Sequence, residues 1–175
     1  MLFKTNYKNL NSSWIKKIYL GETPNGKDLS DHLHIIHNRY TGFTEEIAKT
    51  CCDLNGKNSY ELLLDTVNPS SHRDILDLAC GSGFLLELCK KRFSSKHRLF
   101  GVDMNDNELK LARIRFPKND INFYKANAQD LSFMKDSSKD IIFLSLGFNI
   151  NGSSCYSIKN YQKVTKKTGC LFCNC

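Results

Sequence analysis

The stretch Asp74–Phe84, DILDLACGSGF, decides the fold. Ile75, Leu76 and Leu78 form a short apolar run suited to a strand buried in a parallel sheet. The run breaks into Ala79-Cys80-Gly81-Ser82-Gly83, and a leucine-rich segment resumes at Phe84. This pattern predicts a strand, a tight glycine turn and a helix. Glycines in such a turn adopt dihedrals that a Cβ opposes and let the backbone approach a ligand, while the helix start beyond offers unpaired N–H groups.

Downstream, the segment from Phe84 to Phe93 is predicted as a helix, with Leu85, Leu88 and Cys89 on its apolar face and Lys90, Lys91 and Arg92 at its end. Arg98 to Asp103, RLFGVD, is a second short strand ending in a carboxylate. Asn105 or Asp106 caps a helix through Leu109, Leu111, Ala112 and Ile114, which Pro117 stops. Ile121 to Tyr124 is a third strand and Ile141 to Leu146 a fourth. A helix through Ile158, Tyr161 and Val164 then stops at Thr168-Gly169, before a fifth strand from Cys170 to Cys175. Strands alternating with helices imply an α/β fold with a Rossmann-like, doubly wound parallel sheet, whose ligand sits beyond the carboxyl ends of the strands.

Upstream, four helices are expected. The first carries Trp14, Ile15, Ile18 and Tyr19; the second starts after Ser30 as N-cap and presents Leu33, Ile36 and His37; the third starts near Thr44 and the fourth near Ser59. Asn68-Pro69-Ser70-Ser71 ends this region. Residues 1–72 therefore read as an N-terminal helical cap and 73–175 as the core, together one compact domain.

A chain of 175 residues with 41% hydrophobic and 25% charged residues fits one globular domain. No apolar stretch is long enough for a signal-peptide core or a membrane span, so a cytoplasmic protein with no membrane partner is expected. The net charge of +7 could serve an anionic partner, but the lysines and arginines cluster at helix ends, where they serve as solvated faces. The eight cysteines do not form a secreted disulfide framework. Cys170, Cys173 and Cys175 with His32, His34 and His37 lack the paired spacing of a zinc site, so no metal is expected.

The ordered pieces resemble the class I S-adenosylmethionine-dependent methyltransferases. DLACGSG, Asp77 to Gly83, is similar to their first motif, with Ala79 where the first glycine is usual. Asp103 in GVDMNDNEL matches the acid that ends the second strand. FYKANAQDLSF, from Phe123 to Phe133, resembles the third stretch, with Asn127 where an aspartate is more common, and SIKNYQKVTKKTGCLF resembles the helix, turn and strand around the fifth strand. The resemblance covers Asp74 to Cys175 and implies S-adenosylmethionine as cofactor.

It also implies roles. Ala79, Cys80, Gly81 and Gly83 would cradle the methionine portion, and Asp77 would lie on the amino-group side. Asp103 would accept both ribose hydroxyls. Met104 would pack on the adenine, Asn127 and Ala128 would read its edge, and Ser145 and Leu146 would line the sulfonium side. Tyr40, in IHNRYTGF, resembles a cap tyrosine laid over the cofactor in some small-molecule methyltransferases; as a surface or core aromatic it would need no such role. Asp77 and Asp103 could each simply cap the helix that follows. A nicotinamide-binding domain would also use an acid after the second strand, but Leu86 stands where its third glycine belongs, and Asp77 would oppose a pyrophosphate.

The family implies methyl transfer, and no catalytic residue is assigned. No Asn/Asp-Pro-Pro-aromatic motif follows the fourth strand, which continues as Ser145-Leu146-Gly147-Phe148, and no Pro-Cys nucleophile is present. A small-molecule acceptor is expected first, and an RNA or protein acceptor second. The family usually continues past the fifth strand, which here reaches Cys175. The C-terminally short sheet would leave an open edge available for a homodimer, and a catalytically inactive binding protein is the alternative from another class.

Overall fold

β1, Asp74–Leu78, runs through the middle of the sheet with all five residues buried. The structure, a computed structural model, describes residues 11–93, 95–118, 120–128, 130–145 and 162–174. Four helices precede β1: α1 (Ser13–Tyr19), α2 (Gly26–Arg39), α3 (Phe43–Thr50) and α4 (Ser59–Leu64). After it come α5 (Phe84–Arg92), β2 (Arg98–Asp103), α6 (Asp106–Arg115), β3 (Asn122–Lys125), β4 (Lys139–Ser145) and β5 (Thr165–Asn174). The sheet order is β3-β2-β1-β4-β5, and every pairing is parallel. Strand order reverses between β1 and β4, so the switch point lies beside the glycine turn.

Two apolar layers sandwich the sheet, and alternation along β1 separates them. Ile75 packs with Leu85, Leu86 and Cys89 of α5, Leu109 of α6, and Leu63 and Leu64 of α4. Leu76 and Leu78 face the other way, onto Val102, Ile142, Leu144, Leu131, Met134 and Val164. Each fully buried leucine or isoleucine contributes about 1.5–3 kcal/mol. Ala48, Tyr60 and Val67 of the first seventy residues join the first layer. The cap is tied further by Trp14 stacked on His32, with ring centroids 4.8 Å apart, and by Ser12 Oγ at 2.9 Å from His32 Nδ1.

Charges close the amino end of the sheet. Buried Asp74 pairs with Arg98 of β2 at 2.5 Å and with Lys166 of β5 at 3.0 Å, and Lys166 reaches Asp140 of β4 at 2.8 Å. Asp140 also accepts the backbone N–H groups of Arg73 and Asp74. Burial alone would raise both carboxyls, yet the cations and N–H donors hold them below the usual carboxylate range. Several cations expected to be solvated have carboxylate partners within the chain: Lys91 with Glu87, Arg92 with Asp65, Lys90 with Asp120.

Two predicted boundaries are corrected. α2 begins at Gly26 instead of after Ser30, because Asn25 and Asp28 form a capping box that supplies a stronger start than Ser30. β5 begins at Thr165, ahead of the expected stop at Thr168-Gly169. Its register jumps between Lys139↔Thr165 and Ile141↔Cys170, so an irregularity absorbs Gly169 without ending the strand. Of the helix expected through Ile158, Tyr161 and Val164, only residues 162–164 are described; these are helical, and Val164 is buried. No helix among the described residues is long and apolar enough to cross a membrane.

Candidate functional site

The turn after β1 bends through three left-handed residues: Ala79 (φ 56°), Gly81 (φ 51°) and Gly83 (φ 78°). Cys80 N–H donates to the Val102 carbonyl at 3.0 Å, which holds the turn against β2. The N–H of Gly81 donates to Asp103 Oδ2 and that of Asn105 to Asp103 Oδ1, both at 2.8 Å. Asn105 in turn caps α6 by accepting from the N–H groups of Asn107 and Glu108. The ends of β1 and β2 and the start of α6 thus form one hydrogen-bonded unit.

The cap is stitched onto this unit by polar side chains. Asn38 Oδ1 accepts from the amides of Asn105 (3.0 Å) and Asn107 (3.3 Å). Glu108 Oε1 meets His37 Nδ1 at 2.8 Å and accepts the Gly42 N–H at 3.0 Å. Ser82 Oγ donates to Glu45 at 2.6 Å, and Glu45 also binds Arg115 and Lys49 at 2.6 Å each. Between cap and turn lies a small cavity of about 10 Å³, walled by Gly42, Thr44, Glu45 and Tyr60 on the cap side and by residues 79–82, Phe84 and Glu108 on the other.

The site is acidic. Asp77 is 3% exposed; burial and the neighbouring charge of Asp103 raise its carboxyl well above the usual range. Burial raises Asp103 as well, opposed by the N–H groups of Asn105 and Gly81. The Cys80 thiol is pushed up by burial and by Asp77 and Asp103, so it stays protonated and is no thiolate nucleophile. His37 is raised by its bond to Glu108, which commits that ring to the cap. Among the described residues no cluster of three His, Cys, Asp or Glu side chains is arranged to hold a metal.

The expected site residues spread along the carboxyl ends of the strands. Ala79, Cys80 and Gly81 line the pocket. Gly83 lies off its wall, packed so that an added Cβ would meet Phe116 at 3.2 Å and Ala112 at 3.4 Å. Asp77 also lies off the wall, buried beneath the turn. Met104 is exposed next to Asp103, and Ala126 N–H donates to the Asp103 carbonyl at 3.1 Å, which brings the loop bearing Asn127 and Ala128 alongside. Ser145 ends β4, while Leu146 lies outside the described residues. Tyr40 follows α2 half-buried, with the Arg39 guanidinium 5.8 Å from its ring centre.

The parts that His37, Gly42, Glu45 and Glu108 play here are not legible in the sequence. In the sequence Glu108 is one more acid in a helix first turn, and nothing local says that a cap 66 residues away will enclose it. The arrangement offers a left-handed backbone cradle, a carboxylate at the end of β2 and an acceptor-rich wall. It suits a ligand with a cationic end and a diol; Asp103 keeps a second lone pair on each oxygen for hydroxyl donors.

A family model described as "Methyltransferase domain" matches residues 75–169. No curated protein matches the sequence. Among solved structures, an S-adenosylmethionine-dependent methyltransferase from Aquifex aeolicus superposes with a TM-score of 0.56 at 19% identity, covering 65% of this chain and 61% of its own. One from Thermotoga maritima gives 0.59 at 18% identity, covering 79% and 59%. One from Mesorhizobium loti gives 0.55 at 20% identity, covering 63% and 50%. The chain thus spans about half to three-fifths of the length of these structures, and their likeness establishes the shared fold. The family model covers more than half of the chain, so the chain belongs to the methyltransferase-domain family.

Proposed function

We propose that this member of the methyltransferase-domain family binds S-adenosylmethionine across the carboxyl ends of β1 and β2 and methylates a small-molecule acceptor. The observation that carries the cofactor assignment is the Gly81–Asp103 unit, in which a left-handed glycine turn and a buried carboxylate are held together at 2.8 Å. The residues fit the cofactor: the turn cradles the methionine end, Asp103 takes the ribose hydroxyls, and Met104, Asn127 and Ala128 face the adenine. Ser145 and Leu146 are assigned to the sulfonium side by the family resemblance alone.

The bound cofactor supplies an activated methyl group on a sulfonium. The chain's own contribution is to orient and to exclude water, effects worth up to about 7–11 kcal/mol when alignment is good. Gly42, Thr44 and Tyr60 roof the turn, and this roof supports a small acceptor over a polymer. The internal pairing of Lys91, Arg92, Arg98 and Lys166 supports the same choice, since those cations are spent within the chain. The Thermotoga maritima neighbour is named a possible histamine N-methyltransferase, and a small amine is the first acceptor class to test.

Calorimetric titration with S-adenosylmethionine tests the cofactor assignment, and the absence of any binding rejects it. A screen for S-adenosylhomocysteine release with small amines, phenols and thiols, set beside total RNA, tests the acceptor class. Release with RNA alone would overturn the small-molecule reading, and cofactor binding without turnover on any acceptor would favour a binding protein.

A further inference from the structure

Four buried carboxylates, Asp77, Asp103, Glu45 and Glu108, surround the glycine turn, and they are not equivalent. Both oxygens of Asp103 already accept backbone N–H groups. Asp77 lies beneath the turn and off the pocket wall. Glu45 and Glu108 line the pocket, and the Glu45 oxygens are taken by Ser82, Lys49 and Arg115. The Glu108 side chain is 2% exposed, its Oε1 is taken by His37 and Gly42, and its Oε2 is buried with no hydrogen-bond donor among the described residues.

That free oxygen points at the turn. A Cβ built on Gly81 would stand 3.7 Å from Glu108 Oε2, so the missing side chain keeps the space before the oxygen open. Lys49 Nζ and Arg115 Nη2 bind Glu45, while Arg115 Nη1 is, like Glu108 Oε2, buried without a partner among the described residues. A buried carboxylate oxygen without a protein donor is costly, and folded proteins retain few of them without a ligand, ion or water to satisfy them. The natural complement is an N–H cation small enough to enter beside Gly81.

We infer that Glu108 is a cofactor-binding residue, whose Oε2 accepts a hydrogen bond from the α-ammonium group of S-adenosylmethionine, with His37 and Gly42 positioning the carboxylate through Oε1. The inference rests on the cofactor assignment above. It moves recognition of the amino group from Asp77 to a residue of α6 that is held in place by the cap, so cap docking and cofactor binding become one event.

Two ligands separate this role from a structural one. S-adenosylhomocysteine carries the amino-acid end, whereas 5′-methylthioadenosine keeps the thioether, ribose and adenine without it. Glu108→Gln preserves shape and an acceptor for Gly42. It should weaken S-adenosylhomocysteine roughly 10- to 100-fold, as expected for losing a hydrogen bond to a charged group, and leave 5′-methylthioadenosine within about twofold of the parent. Equal losses for both ligands, or no loss for either, would overturn the assignment. Should the glutamine variant fail to fold, Glu108→Asp keeps the charge but withdraws it by one methylene, and its loss must again fall on S-adenosylhomocysteine alone. If the parent binds neither ligand, the cofactor assignment itself fails. If it binds 5′-methylthioadenosine as tightly as S-adenosylhomocysteine, the cofactor assignment stands and the role of Glu108 is refuted.

Discussion

The N–H of Gly81 donates to the carboxylate of Asp103 at 2.8 Å, across two strands and 22 residues of sequence. Since Asn105 N–H occupies the other oxygen, the carboxylate serves two donors at once. Asp103→Asn turns an NH₂ group against one of them. The expected cost is about 1–3 kcal/mol, a fall of several degrees in the thermal midpoint, accompanied by faster amide exchange at Gly81. An unchanged midpoint and unchanged exchange would show that the bond is dispensable.

Asp77 supplies a pH signature. Burial and Asp103 raise its folded-state carboxyl, so folding favours the protonated form. The penalty is absent below the unfolded value near 4 and develops as pH rises through the raised folded value. Asp77→Asn should therefore gain stability over the parent at neutral pH, on the order of 1–3 kcal/mol, with the gain vanishing toward pH 4. Denaturant midpoints of both proteins across that range measure it, and a gain that grows toward acid contradicts the assignment.

At Ala79 the chain uses alanine in a conformation that glycine holds at lower cost, φ 56°. An L-residue there carries about 1–2 kcal/mol of strain, offset in part by the greater freedom of glycine in the unfolded chain. Ala79→Gly should stabilise the protein by about 0.5–1 kcal/mol. Chemical denaturation that finds a loss instead would mean that the alanine methyl makes packing contacts worth more than the strain.

Ser82 fastens the cap to the turn through Glu45. Ser82→Ala removes the donor, leaves a buried carboxylate with one partner fewer, and should cost about 1.5–3 kcal/mol. The loss should appear first as faster hydrogen exchange in α3, ahead of β1. Uniform exchange across both elements would mean that cap and sheet open together.

Gly101 has no room for a side chain. A Cβ would sit 2.7 and 2.8 Å from atoms of the Phe123 ring and 2.9 Å from Cys80 Sγ. Gly101→Ala should destabilise by about 1–3 kcal/mol, and shortening the opposing ring with Phe123→Leu should recover part of the loss. An alanine variant as stable as the parent would show that the ring swings aside freely.

The sequence disclosed the sheet because its signals are local. DILDL must be buried on both faces, and the Asn105 cap and Pro117 fix both ends of α6. The backbone elements of the candidate site are legible for the same reason: Gly81 and Asp103 are marked by their positions after strands, and the structure brings them together. The start of α2 was misplaced because Ser30 and Asn25 are both acceptable caps, and only the reciprocal Asn25–Asp28 pairing separates them. Glu108 and Glu45 were invisible because their partners, Gly42 and Ser82, are brought to them by the docking of the cap, which no local pattern encodes.

The charge cluster at the amino end of the sheet has a mechanical meaning. Asp74, Arg98, Asp140 and Lys166 join β1, β2, β4 and β5 on the side remote from the pocket. These four strands are thus bound at their amino ends by charge, like the leaves of a book at its spine, and β1 and β2 are joined again at their carboxyl ends through Gly81, Asp103 and Asn105. A ligand at the carboxyl ends therefore meets four strands whose register is held from the opposite side of the sheet.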